Sequence, residues 1–292
     1  MTAHAAGGRI VEFDDAGLEK WSDAEEFAVT AERIADYAAA TNDPIRTHRD
    51  GSVAPPVFAI VPVFEAMMMP ILDVAPMDIF GRVVHGEQDF HFHRPIRPGE
   101  QLVSRAKAVG YTSKSTGTTV TILVECRDTA GELVNEQYLT AFFRGIDAGK
   151  SVGEQAPAHR FDESRRASAP FAVVEHHVDD DQTFRYSPAS GDPMPLHLDE
   201  QVAKDAGLPG IIAHGLCTMA MASWGVLTAT AGSDVHRLRR FAVRFAKLVF
   251  PGDDLQTRIW PVTSADGVTT YAFETVRGAD VVLSDGLAEI AD

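Results

Sequence analysis

The chain has 292 residues, 45% of them hydrophobic and 23% charged, with a formal net charge of −16. That length leaves room for two ordinary domains or one large one, and for a core that needs no disulfide or structural metal. The charge argues against nucleic acid or an anionic membrane as the main partner, although a local basic patch can still hold a phosphate-bearing ligand. Cys126 and Cys217 are the two cysteines. Both lie in apolar segments, which gives no disulfide framework or CxxC metal site and fits a reducing, cytoplasmic setting. Residues Met1 to Arg9 carry no apolar h-region, so no signal peptide is expected, and no apolar run reaches the ~18 residues of a membrane span. Ala288-Glu-Ile-Ala-Asp292 is not a peroxisomal address.

Residues 1–30 read as irregular and acidic. Ala31 to Ala40 reads as a short helix with Ile34 and Tyr37 on one face. A turn cluster follows, Thr41-Asn-Asp43-Pro-Ile-Arg-Thr-His48. Ala54-Pro55-Pro56 then opens an apolar run, Val57 to Leu72, too long for a strand and expected to be one buried helix. From about Val83 the pattern alternates, and Leu102–Val109, Thr118–Arg127 and Leu133–Phe143 are β-rich runs separated by Gly and polar clusters. Asp147 to Pro170, rich in Ala, Gly, Ser, Pro and charge, reads as a linker. The order then repeats. Phe171–Val178 reads as a strand and Asp181–Ala189 as a short helix. His214–Ala231 is a long apolar helix, and strands follow near Leu238–Ala246, Leu255–Pro261, Thr269–Val276 and Ala279–Ile290.

The repeat is visible in the residues themselves. Tyr37-Ala-Ala-Ala-Thr-Asn-Asp43-Pro-Ile-Arg-Thr-His48 aligns with Tyr186-Ser-Pro-Ala-Ser-Gly-Asp192-Pro-Met-Pro-Leu-His197 at an offset of 149. Farther along, Phe92 to Leu102 aligns with Phe245 to Leu255 at an offset of 153. Two copies of a helix-and-antiparallel-sheet unit imply an internal pseudo-dimer. In the second copy an acid and a histidine lie five residues apart on a turn of Ser, Gly and Pro, a candidate proton-transfer pair. Close behind it, His214-Gly215 opens the long helix and supplies unpaired backbone N–H donors.

Three motifs of the second half carry a resemblance: Gly191-Asp192-Pro-Met-Pro195-Leu-His197, His214-Gly215-Leu216-Cys-Thr, and Arg244-Phe245-Ala-Lys247-Leu-Val-Phe-Pro251-Gly252. Together they resemble the MaoC-like, (R)-specific enoyl-CoA hydratase family. Residues 171–292 carry the likeness well and residues 30–145 more loosely, through Val84-His85-Gly86-Glu87-Gln88 and Arg94-Pro95. The resemblance implies an α+β double hot-dog, two long helices each wrapped by antiparallel sheet. It divides the chain into a degenerate N-terminal repeat that shapes the acyl pocket (1–146), a linker (147–170) and a catalytic C-terminal repeat (171–292). The pattern departs at Met194, where the family usually carries an Asn that helps orient water and substrate.

The activity so implied is a hydro-lyase in fatty acid metabolism, the reversible hydration of trans-2-enoyl-CoA to (R)-3-hydroxyacyl-CoA. Asp192 and His197 are expected to grip the water, and the Gly215 N–H to serve the oxyanion. Glycine there lets the thioester approach closely. Tyr186, Met194, His214 and Leu216 are expected to contact substrate. Arg244 and Lys247, helped by Arg239 or Arg240, are candidates for the coenzyme A phosphates. Coenzyme A enters as part of the substrate; no cofactor and no metal are expected, and a homodimer is allowed. Two alternatives stay open: a dehydratase of carrier-protein-bound 3-hydroxyacyl thioesters, and a non-catalytic acyl-thioester-binding subunit. In the first copy Val61 and Pro62 stand where Gly215 and Leu216 stand in the second, so Asp43 and His48 are expected to be inactive. Met67-Met-Met69 either lines the acyl pocket or packs in the core. Cys217 reads as packing, and His91 and His93 share a strand face without an evident third metal ligand.

Overall fold

The computed structural model describes residues 8–292; the expectation of an absent signal peptide falls largely on residues 1–7, outside the described residues. The helices are α1 (Ala31–Ala40), α2 (Arg46–Arg49), α3 (Met69–Val74), α4 (Gln182–Ser190), α5 (Glu200–Asp205) and α6 (Gly215–Ala231). The strands of the first half are β1 (Arg9–Ile10), β2 (Glu25–Ala28), β3 (Val83–Phe92), β4 (Gln101–Lys114), β5 (Gly117–Asp128), β6 (Leu133–Arg144), β7 (Ile146–Asp147) and β8 (Val152–Gly153). Those of the second half are β9 (Ala172–His177), β10 (Leu238–Phe245), β11 (Asp254–Ala265), β12 (Val268–Arg277) and β13 (Asp280–Ala291).

Local chemistry explains most boundaries. The Thr30 side chain accepts from the Arg33 N–H and caps α1, which buries Ile34, Tyr37, Ala38 and Ala40. Helix α6 is apolar nearly all round, so it lies inside the core and not on its surface. It stops at Gly232, whose φ of 61° suits the left-handed cap.

The sheet runs β2-β4-β5-β6-β3-β10-β13-β12-β11-β9, with β8 added against β4. Read from the centre outward, each half has the same order, and β3 and β10 join the halves into one sheet. Their antiparallel register is unchanged when the halves are exchanged at the 153 offset. Arg240↔His91 becomes Arg244↔Glu87, Phe241↔Phe90 becomes Val243↔Gln88, and Ala242↔Asp89 maps onto itself. A pseudo-twofold axis therefore passes between Asp89 and Ala242.

One element differs from the sequence expectation. The run Val57–Leu72 is not a single helix. Pro56–Val63 forms a 3-10 helix with Pro62 inside it, turns follow, and only Met69–Val74 is α-helical. Pro62 and Pro70 each remove a backbone donor and clash with the preceding turn, so a continuous α-helix cannot form. Residues 147–170 lie against the sheet and do not hang free. Val152–Gly153 pairs with β4, the Arg240 guanidinium donates to the Pro157 and Ala158 carbonyls, and His159 Nδ1 lies 2.7 Å from the Asp285 carbonyl. Because Phe241 faces the core, Arg240 faces the other side, and this segment crosses the sheet opposite the helices.

Candidate active site

The Asp192 turn is built by the end of α4. Gly191 takes φ 81° and caps the helix, its N–H donating to the Ser187 carbonyl. The Ser187 hydroxyl donates to the Asp192 carbonyl at 2.7 Å, and Asp192 Oδ1 accepts the Met194 N–H at 3.0 Å. One carboxylate oxygen thus closes an Asx turn, while Oδ2 has no hydrogen bond to any described residue. Pro195–His197 forms a 3-10 turn that carries His197 back toward it. His197 Nδ1 donates to the Ile212 carbonyl at 2.8 Å, which fixes the tautomer and leaves Nε2 as an acceptor.

A ligand atom from each of Asp192, His197 and His214 lies within 4.8 Å of the others. Burial raises the Asp192 carboxyl above its ordinary value, against the opposing pull of the Met194 N–H and of His197. Burial lowers His197, against the Ile212 carbonyl and Asp192. His197 is therefore a neutral imidazole at neutral pH, with a free base at Nε2. His214 is held at about 3, first by burial and then by the neighbouring His197, so it adds no charge beside that base. Its ring stacks on His197, centroids 3.8 Å apart, and Tyr186 packs behind it at 5.0 Å.

Gly215 opens α6, and its N–H donates to no group among the described residues. A Cβ at this position would meet the Phe245 ring at 3.0 and 3.1 Å. A side chain here would therefore press on Phe245 unless that ring shifts by a few tenths of an ångström. His85 of the first half packs edge-on against the same ring, centroids 4.8 Å apart, and sits 3.0 Å from Gln88 Oε1. Phe245 and His85 each stand within a motif of the sequence, and no local pattern gives either a role at the site. Their distance in the chain hid the contact, which exists because β3 pairs with β10.

The other expected residues divide. Tyr186 is 1% exposed and packs behind His214. Leu216 is buried, and Met194 is 48% exposed, serving Asp192 through its backbone. Arg244 is exposed and makes no ion pair among the described residues, whereas Lys247 is held by Asp280 at 2.5 Å. Arg240 is committed to Asp89 at 2.8 Å and is not free for phosphate, while Arg239 is exposed. In the first copy His48 Nδ1 binds Asp43 Oδ2 at 2.7 Å with both side chains fully buried. Met67 is buried in the core and Met69 is exposed. Cys217 is a buried free thiol pushed up to about 12 by burial. His91 turns to Asp89 and His93 to Glu136, so the two do not converge.

The chain is similar to known proteins over both halves. Residues 161–282 match the MaoC-like domain model, and residues 17–137 match the FAS1-like dehydratase domain region. A probable enoyl-CoA hydratase 2 of Dictyostelium discoideum is 31% identical over 213 residues, covering 71% of this chain and 70% of the relative. The 3-hydroxyacyl-thioester dehydratase Y of Mycobacterium tuberculosis is 31% identical over 214 residues, covering 71% and 72%. The crystal structure of a MaoC-like dehydratase from Phytophthora capsici superposes with a TM-score of 0.82 at 25% identity, covering 95% of this chain and 97% of that one. The motifs, the paired helix-and-sheet halves and these matches together place the chain in the MaoC-like hydratase–dehydratase family, with a double hot-dog fold.

Proposed function

We propose that the protein is a hydro-lyase that adds water to trans-2-enoyl-CoA, giving (R)-3-hydroxyacyl-CoA, and catalyses the reverse. The observation that carries this reading is the Asp192–His197 pair, within 4.8 Å of each other, with the His197 Nδ1 tied to Ile212 and Nε2 left as the acceptor. A water between them donates one hydrogen to Asp192 and the other to Nε2. Its oxygen bonds to Cβ, the π electrons move toward the thioester oxygen, and the proton it gives up is delivered to Cα on the same face. The Gly215 N–H, at the positive end of α6, supports the oxyanion. Arg244, unpaired among the described residues, is the first candidate for a coenzyme A phosphate. The names of the two relatives above support a thioester substrate of this class.

The N-terminal repeat serves the pocket and not the chemistry in this reading, because Asp43 and His48 are sealed in the core. One chain carries both halves of the pseudo-dimer, so one chain suffices for one site. No described helix is long and apolar enough to cross a membrane, and the two buried free thiols support a reducing compartment such as the cytoplasm.

Loss of the enoyl-thioester absorbance with crotonyl-CoA and longer trans-2-enoyl-CoAs tests the proposal, with chiral analysis of the product. Turnover to the (R) product is expected. If no enoyl-CoA turns over, and Asp192→Asn binds the thioester as well as wild type, the protein is a binding subunit. Turnover restricted to carrier-protein thioesters would select the dehydratase reading.

A further inference from the structure

The internal duplication allows one half to be compared with the other, residue against residue. Edge strand β2 pairs with β4 through Phe27↔Leu102 and Glu26↔Val103. Edge strand β9 pairs with β11 through the equivalent His176↔Leu255 and Glu175↔Gln256. The equivalence continues beyond the strands. The Ser22 N–H donates to the Ala106 carbonyl at 2.7 Å, and the Phe171 N–H donates to the Ile259 carbonyl at 2.8 Å. Trp21 in the first half therefore corresponds to Pro170 in the second, Arg105 to Arg258, and Lys107 to Trp260.

In the first half the Trp21 ring covers this corner of the sheet. The Arg105 guanidinium lies over it at 4.1 Å and the Lys107 ammonium at 4.9 Å. In the second half proline replaces the indole, and a cavity of about 530 Å³ opens in its place. Pro170, Arg258 and Trp260, the counterparts of the three residues of that stack, all line it, with Val173 and Gln256 beside them. The walls are fixed. Trp260 Nε1 donates to the Ser168 carbonyl at 3.2 Å and its ring packs against Phe161. Arg258 donates to Gln256 Oε1 at 3.1 Å, which orients its guanidinium plane. Arg166, partly exposed, stands at the edge of the cavity and is held at 2.5 Å by the buried Glu274.

We propose that this cavity binds a bicyclic aromatic small molecule, of indole or purine type, stacked on Arg258 as Trp21 is stacked on Arg105. A guanidinium presents a flat cationic face to an aromatic ring, and the Arg166 guanidinium at the edge suits a ring with polar substituents. The site lies on the sheet face opposite α6, away from Asp192 and His197, and does not depend on the hydratase reading.

Isothermal titration of the full chain with indole-3-acetate and with adenosine 5′-monophosphate tests the proposal. Saturable binding of at least one is expected, and the one that binds more tightly identifies the ring. Arg258→Ala should weaken that binding roughly three- to thirtyfold, the range expected for loss of a cation–π stack. Pro170→Trp, which restores the aromatic residue of the first half, should abolish it while leaving a melting temperature at least equal to wild type. No saturable binding of either compound to wild type would overturn the proposal. So would binding that persists undiminished in either variant.

Discussion

The Tyr37 and Tyr186 hydroxyls lie 3.3 Å apart, joining residues that occupy the same place in the two copies, 149 positions apart. Such a self-contact is the mark of an isologous interface, here fused into one chain. From it a line of rings runs outward: Tyr186 backs His214, and His214 stacks on His197. The first copy thus reaches the His197 imidazole of the second through packed rings.

Asp192→Asn and Asp43→Ala should fail in different ways. The first removes a proton acceptor and should lower kcat/KM about 10²–10⁴-fold with little change in the melting temperature. The second leaves His48 buried without its partner and should cost roughly 1–3 kcal/mol of stability, while the folded fraction keeps its activity. Steady-state kinetics beside urea unfolding separate the two. Loss of chemistry in Asp43→Ala alone would reverse the assignment of the working half.

Gly215→Ala should slow turnover by about tenfold or more, because the new Cβ meets the Phe245 ring at 3.0 Å beside the oxyanion donor. Adding Phe245→Leu should recover part of the rate by opening that contact. Kinetics of the single and double variants decide it; absence of any recovery would mean that clearance from substrate, and not from Phe245, demands the glycine.

Stability should fall as the pH drops below about 6.5. Burial holds His176 at about 4 and His214 at about 3 in the folded chain. Below the ordinary value of 6.5, the unfolded chain binds protons at these positions that the folded chain does not. Each group then removes roughly 1.4 kcal/mol per pH unit until its folded value is reached. Asp192, raised by burial, works in the opposite sense. Urea midpoints measured from pH 7 to 4 should slope downward, and His176→Gln should make that slope shallower by about one histidine's share.

Arg240→Met should cost roughly 3–5 kcal/mol. It takes the guanidinium from Asp89, which is 1% exposed beside the pseudo-twofold axis between β3 and β10, and leaves that carboxylate only the His91 ring at 3.1 Å. Replacing both residues with apolar ones should cost clearly less, since no buried charge is then left alone. Denaturant unfolding of the single and double variants gives the difference.

Arg244→Ala should raise KM for a coenzyme A thioester several-fold, and Lys247→Ala should raise it less, because Lys247 is already held by Asp280. With a thioester of N-acetylcysteamine, which lacks the phosphates, neither change should matter. An equal effect on both substrates would remove the phosphate role from Arg244.

The sequence by itself determined the duplication, the strands and the Asp-His turn, because each is written in local chemistry. Alternation gives strands, Gly191 ends α4, and Tyr, Asp and His recur at one offset. The break in the first-copy segment escaped the sequence pattern: an unbroken apolar run over Val57–Leu72 reads as one helix, and Pro62 and Pro70 break it. Only the tertiary structure decided which side each group faces. Asp43-His48 and Asp192-His197 share spacing and residue type, but the first pair is sealed and bonded to itself, while the second is opened by the Ile212 carbonyl. The contacts of Phe245 with Gly215 and His85, and the commitment of Arg240 to Asp89, arise from strands distant in sequence. Partner choice across a sheet is set by register and burial, and no local pattern encodes it.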